Sequence, residues 1–237
     1  MRKTTNQNIL ESIRSYLKTK VRYHNEFLPR PFFIEITGTP DAGKSTTIDK
    51  LYDALRREGF RVLCPQEGAQ IVQDIPRTTP LYNLATGLYA LDMVIHQSAA
   101  HNYDIVVFDR CIFDAYVWME YWSEKGELDF MEKETYQNFF LSRFWTDKID
   151  LVYFMVCDAE TAVKRDMAVS FNKKLGESTN PESIRAKLEL YRRVYERIAP
   201  LYPQLKFIDT THIDRQEMID KIIAKILDTL VKKAQKK

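Results

Sequence analysis

An eight-residue stretch, Gly38-Thr39-Pro40-Asp41-Ala42-Gly43-Lys44-Ser45, constrains this chain more than any other. It reads G-x-x-x-x-G-K-S, the phosphate-binding loop (Walker A) signature. Its surroundings agree with its letters. Phe32-Phe33-Ile34-Glu35-Ile36 reads as a buried strand running into the first glycine. After Ser45, Ile48, Leu51 and Leu55 recur at helical spacing, and Gly59 supplies the stop. In the order strand, loop, helix, the two glycines let backbone N–H groups converge on phosphate oxygens at a helix N-terminus. The Lys44 ammonium reaches the outer phosphates, and the Ser45 hydroxyl is a ligand for Mg²⁺. The expected nucleotide contacts are Gly38, Thr39, Asp41, Ala42, Gly43, Lys44, Ser45 and Thr46.

Two letters of the loop are unusual. Asp41 stands where a small neutral residue is usual, so its carboxylate faces a polyanion unless it points away. Asp tolerates left-handed backbone better than most residues, which suits it to the turn. Pro40 removes one N–H donor. Both features predict weaker nucleotide binding than a glycine-rich loop gives.

The rest of the chain alternates strands and helices. Strands are expected at 32–37, 60–64, 104–108, 150–156 and 206–209. Helices are expected at 44–57, from Thr79-Pro80 onward, at 112–123, 130–146, 159–169, from Pro181 to about 198, and at 215–231. The helix after Pro80 is given an apolar face of Leu81, Leu84, Ala85, Leu88, Leu91 and Ile95. This alternation predicts an α/β fold, a parallel sheet with helices on both faces. Ligands of such sheets bind at the carboxyl ends of the strands. That rule gathers the loop, Glu67, Asp109-Arg110 and the segment after Cys157 at one edge. Ahead of this unit, residues 1–30 form a polar extension with a helix expected near 5–22, so the division is 1–30 and 31–237.

Composition narrows the class. Among 237 residues, 35 basic and 33 acidic side chains leave a net charge of +2, which gives no argument for nucleic acid or a membrane surface. The longest apolar run, Leu151–Val156, is far short of the roughly 20 residues a membrane helix needs. Cys64, Cys111 and Cys157 lie far apart in apolar surroundings and read as reduced core residues of a cytoplasmic protein.

The second chemical motif ends the third strand. A carboxylate at the tip of a buried strand, Asp109, can hold Mg²⁺ or its waters opposite Ser45. Arg110 can then clamp phosphoryl oxygens with its two-pronged guanidinium. Here the sequence resembles the thymidylate kinase and deoxynucleoside kinase superfamily. Thymidylate kinases carry Asp-Arg-Tyr after this strand and deoxynucleoside kinases carry Glu-Arg-Ser; this chain has Asp109-Arg110-Cys111. Tyr191 to Ala199, Tyr202-Pro203 and Phe207-Ile208-Asp209 look like the thymidylate kinase ending. The resemblance covers roughly residues 32–231. It implies a five-stranded sheet in order 2-3-1-4-5, ATP as donor, and a mobile lid, near 165–185, whose arginine would be Arg165. Lys173, Lys174 and Arg185 are candidate substitutes for the missing second lid arginine.

The departures bear on the acceptor. Thymidylate kinases have Arg-Glu-Pro-Gly-Gly-Thr after the second strand; here it is Gln66-Glu67-Gly68-Ala69-Gln70, so only Glu67 matches. Deoxynucleoside kinases use a glutamate there as base on a sugar hydroxyl, and Glu67 fits that place too. Arg77, ten residues on, is available for an acceptor phosphate instead. Tyr82, Tyr89, Trp118, Tyr121 and Trp122 read as core residues or as stacking partners of a base, and Gln97 as a base reader or a surface residue. The sequence thus supports an ATP- and Mg²⁺-dependent kinase whose catalytic residues are Lys44, Glu67, Asp109, Arg110 and Arg165. Its expected partner is a small nucleoside or nucleotide acceptor, with a homodimer left open. The competing reading is a nucleotide-binding switch that hydrolyses slowly without an acceptor.

Overall fold

β-Branched and aromatic residues in short runs, each followed by a helix, build a parallel sheet here because every strand can be covered on both faces. A computed structural model of the protein describes residues 30–100, 102–169 and 180–235. The expected helix near 5–22, and Lys173 and Lys174, lie outside the described residues. Five strands, β1 (Phe32–Gly38), β2 (Val62–Leu63), β3 (Ile105–Asp109), β4 (Ile149–Val156) and β5 (Leu205–Asp209), form one parallel sheet in the order β2-β3-β1-β4-β5. This is the expected order 2-3-1-4-5. It puts β1 at the centre, with β3 and β4 beside it. The ends of those three strands therefore share one edge.

Along β1 the side chains alternate between the two faces. Phe32, Ile34 and Ile36 join a core formed with Ile48, Leu51 and Leu55 of α1 (Lys44–Arg57) and Met218, Ile222 and Ile226 of α9 (Arg215–Gln235). Phe33 lies in the opposite core, with Leu91 and Val94 of α3 (Pro80–Ala100), Ile112 and Phe113 of α4 (Ile112–Glu124), and Tyr191 and Val194 of α8 (Pro181–Ile198). Glu35 and Thr37 share the face of Phe33 by the same alternation, and both are fully buried. The remaining helices are α2 (Gly68–Ile71), α5 (Phe130–Phe140), α6 (Arg143–Thr146) and α7 (Ala159–Val169). No helix among the described residues is long and apolar enough to cross a membrane.

Three expectations are corrected. The helix expected over 130–146 is two helices, interrupted where Ser142 takes an extended backbone (φ −57°, ψ 144°). The second strand shrinks to two residues at the sheet edge. The buried face of α3 is rotated from the one expected. Leu91 is buried as expected, but Leu81, Leu88 and Ile95 are 62, 50 and 45% exposed, and Tyr82, Asn83, Gly87, Ala90 and Val94 are buried in their place. Close approach decides this. A Cβ on Gly87 would sit 2.8 Å from both the Ala115 Cβ and the Phe140 ring, so the small residues, not the large ones, meet α4 and α5.

Candidate active site

The phosphate loop bridges β1 and α1, and its shape follows from contacts that exclude side chains. A Cβ on Gly38 would lie 1.7 Å from the Met155 carbonyl oxygen, so only glycine passes β4 at this point. Thr39 N–H donates to that same carbonyl at 3.0 Å. Gly43, at φ 86°, caps α1 without a side-chain bond, and the first turn of α1 holds no acidic residue. Its leading N–H groups are therefore left for an anion.

Lys44 is buried and donates to the Thr39 carbonyl at 2.6 Å. Burial and the nearby Arg110 bring its ammonium down to about 8, against the pull of Asp109, Asp114 and Glu67. Ser45 Oγ donates to Asp109 Oδ2 at 3.3 Å. Asp109 Oδ1 is buried and accepts no hydrogen bond among the described residues. A hydroxyl beside a carboxylate with one unused oxygen is an all-oxygen donor set that suits Mg²⁺. Among the described residues no three His, Cys, Asp or Glu side chains group as a metal cage. Ser45 and Asp109 would thus hold the ion together with phosphate oxygens of the nucleotide, as Mg²⁺ sites commonly do.

Asp41 adopts φ 55°, the left-handed conformation expected of it. Its carboxyl rises from the usual range through burial and the charge of Asp166, partly relieved by Lys44 and Arg165. Asp41 Oδ2 is buried and accepts no hydrogen bond among the described residues. Arg165 braces the loop from behind: its Nη1 donates to the Asp41 carbonyl and to Thr210 Oγ1, both at 3.0 Å, and its Nη2 to the Thr210 carbonyl at 2.8 Å. Thr39 and Ala42 are also used structurally, since Thr39 Oγ1 accepts from Cys157 N–H and the Ala42 carbonyl accepts from Thr210 Oγ1. Thr46 stands half-buried in the first turn of α1.

The β3 end turns sharply into α4. Arg110 has φ 68°, a conformation that costs a non-glycine residue energy and persists only where its surroundings enforce it. They do so here. Arg110 N–H donates to the Ile36 carbonyl at 2.9 Å. Its Nη1 donates to Asp114 Oδ1 at 2.7 Å and to Tyr191 Oη at 3.2 Å, and its Nε lies 3.5 Å from Glu67 Oε1. Asp114 Oδ1 also accepts from Tyr191 Oη at 2.7 Å and from Thr37 Oγ1. Below this corner, Glu35 accepts from Cys111, Phe113 and Asp114 N–H at 2.9, 3.1 and 2.8 Å, which seats the N-terminus of α4 on β1. Burial pushes the Glu35 carboxyl up to about 8, with Asp114 adding to the rise and the three N–H donors opposing it.

Beside this corner opens a cavity of about 800 Å³. Pro40, Asp109 and Arg110 line the end near the phosphate loop, Glu67 and Arg77 one flank, and Tyr82, Trp118, Tyr121 and Trp122 the aromatic part. Burial and Asp109 raise the Glu67 carboxyl, with Arg110 and Lys44 opposing. Arg77 donates to the Ala69 carbonyl at 3.2 Å and lies 5.7 Å above the Tyr82 ring.

The structure thus brings Lys44, Ser45, Glu67, Asp109, Arg110 and Arg77 together. Arg165 stands behind the loop, held by backbone carbonyls. Gln97 does not line the cavity; it lies roughly 21 Å along α3 from Asn83, which does. Tyr89 does not line it either. Sequence reasoning missed Glu35, Asp114, Tyr191 and Asn83. Two carried a signal: Glu35 is a charge inside an apolar strand, and Asp114 follows Arg110 at the i,i+4 spacing of a helical ion pair.

Comparison with known proteins agrees with this architecture. The AAA domain family matches residues 33–197. The curated "Probable thymidylate kinase" of Sulfurisphaera tokodaii is 25% identical over 212 residues, covering 85% of this chain and 98% of that protein. Among solved structures, deoxyadenosine kinase from M. mycoides with products dCMP and dCDP bound is 19% identical with a TM-score of 0.59, over 82% of this chain and 98% of that one. The same enzyme with bound dATP gives 20% identity over the same shares and a TM-score of 0.55. These structural likenesses bear on the fold.

Proposed function

The chain belongs to the AAA domain family, and on that premise we propose that it is an ATP-dependent kinase. It moves the γ-phosphoryl group of ATP to a nucleoside or nucleoside monophosphate. The observation that carries this reading is the cavity of about 800 Å³ that begins at the phosphate loop and ends in aromatic rings. A switch that hydrolyses its nucleotide needs room for one water. A cavity of this size, part apolar and part charged, is of the kind that encloses a small organic ligand.

The residues divide the work as follows. The loop N–H groups and Lys44 hold the donor's phosphates. Ser45 and Asp109 would hold Mg²⁺, which when bound neutralises charge on the transferring phosphoryl group. Arg110, fixed by Asp114 and Tyr191, presents its fork to the same oxygens. Glu67 lines the cavity next to Arg110 and accepts the proton of an acceptor hydroxyl as its oxygen bonds to the γ-phosphorus and the bond to ADP breaks. The raised carboxyl of Glu67 makes it a better base than an ordinary glutamate. Arg165, braced on Asp41 and Thr210, keeps the loop in shape. Residues 1–30 are proposed as an extension separate from the kinase unit, and the segment around 165–185 as the lid over the donor.

Arg77 favours a second version of the same reading, in which the acceptor carries a phosphate that is already ionised and needs a cation rather than a base. Steady-state kinetics of Glu67→Gln and Arg77→Ala separate the two. For a hydroxyl acceptor, Glu67→Gln lowers kcat by about 10²-fold or more, in the usual range for a positioned base. A nearly silent Glu67→Gln, with Arg77→Ala raising the acceptor KM, overturns the hydroxyl version.

A further inference from the structure

One polar group on the cavity wall has no part in the chemistry above. Asn83, on α3, is 6% exposed and lines the cavity beside Trp122 of α4. Trp122 Nε1 donates to Asn83 Oδ1 at 2.8 Å. An indole N–H can only donate, so this bond fixes which end of the amide is the oxygen. The opposite orientation would set an NH₂ group against an N–H inside the protein and leave both donors without acceptors. The amide nitrogen, Nδ2, donates to nothing among the described residues, yet it is not among the side-chain atoms sealed inside protein without a partner. It is therefore open to the cavity. Asn83 presents donors to whatever enters.

The surroundings define what enters. The Trp118–Tyr121 and Tyr121–Trp122 ring centroids are both 5.0 Å apart, edge to face, which makes a stiff aromatic wall suited to a flat ring. Asp114, at the reacting corner, and Trp122 are eight residues apart on α4, roughly 12 Å along the axis. That spacing leaves room for a sugar at the corner and a base against Asn83. On the reading of this cavity as a nucleoside or nucleotide acceptor site, we propose that Asn83 reads the edge of the acceptor base and that Trp122 decides what it reads. With its oxygen turned to Trp122, the amide favours a base that offers an oxo group. It disfavours the counterpart with an amino group at that place, which would meet Nδ2 donor against donor.

The test compares kcat/KM of the full chain with ATP and Mg²⁺ on uridine against cytidine and on inosine against adenosine, each with ribose and with 2′-deoxyribose, as nucleoside and as 5′-monophosphate. Wild type prefers the oxo member by at least about tenfold, equivalent to about 1.4 kcal/mol at 25 °C. Asn83→Asp places an acceptor oxygen where the NH₂ stood and shifts the preference toward the amino member. Trp122→Phe keeps an aromatic wall but deletes the N–H that orients the amide, so the preference shrinks to about twofold or less. This second variant carries the test if Asn83→Asp fails to fold. Equal use of both members by wild type, or a preference that Trp122→Phe leaves unchanged, overturns the role of Asn83 while leaving the kinase reading in place. No transfer to any of these acceptors overturns both.

Discussion

Nucleotide binding should weaken as pH rises above about 8, and Lys44 is the reason. In the free protein its ammonium is buried beside Arg110 and donates to the Thr39 carbonyl at 2.6 Å, so burial brings it down to about 8. Phosphates arriving at the loop supply the anion that the site lacks and restore the ammonium toward its ordinary value of about 10.5. The free protein then loses the Lys44 proton above pH 8 and the complex keeps it. Binding above pH 8 takes up a proton, and the affinity falls by up to about tenfold per pH unit. Between about pH 7.5 and 9.5 the two values give a loss of about twentyfold, or ~1.8 kcal/mol. Tyr82 and Cys64 stay neutral in this window, because burial raises both, the thiol to about 12; Glu35, whose carboxyl burial pushes up to about 8, faces the Cys111, Phe113 and Asp114 N–H groups of α4 rather than the phosphate loop, so it loses its proton in the free protein and the complex alike. The assay is calorimetric titration with a non-hydrolysable ATP analogue and Mg²⁺, in two buffers of different ionisation heat at each pH. Lys44→Arg, which stays charged throughout, should bind with little pH slope. A wild-type affinity constant across this range, with no proton uptake, would refute the reasoning.

Three further outcomes are expected. Glu35→Gln should lower stability by about 2–3 kcal/mol, because the new NH₂ must face one of the three N–H donors that now reach carboxyl oxygens; a melting temperature within a degree of wild type would contradict this. Asp41→Gly should tighten nucleotide binding by about fivefold, since it removes a buried carboxyl oxygen that accepts no hydrogen bond among the described residues and glycine accepts φ 55° freely; an unchanged Kd would sink the expectation. Asp109→Asn should cut turnover by at least about tenfold and raise the Mg²⁺ concentration needed for half-maximal rate, an amide being a poorer ligand for a hard cation; an unaltered Mg²⁺ curve would mean that Asp109 is only structural.

The loop was legible in the sequence because its logic is local. Gly38, Gly43 and Lys44 act through the backbone within one turn, and the strand before them and the helix after them are set by near neighbours. The sheet order was open to the resemblance alone, since nothing local in β3 says that it passes to the far side of β1 from β4. Asp114, Tyr191 and Asn83 were hidden for a different reason. Their partners are Thr37 and Trp122, or a helix from another part of the chain, 39 to 81 residues away in sequence. The face of α3 was misread because apolar residues lie all round it. Gly87 decides which side packs, through closeness to Ala115 and Phe140, and periodicity weighs only hydrophobicity.

The central claim is that the cavity beside Asp109 and Arg110 delivers an acceptor to the γ-phosphate. Time-resolved ³¹P NMR of the full chain with ATP, Mg²⁺ and a mixture of nucleosides and nucleoside monophosphates tests it directly. The account predicts a new phosphoester or phosphoanhydride signal growing in step with ADP, absent when the acceptors are left out. ADP accompanied by inorganic phosphate alone, at the same rate with and without acceptors, would contradict it and leave a nucleotide hydrolase in its place.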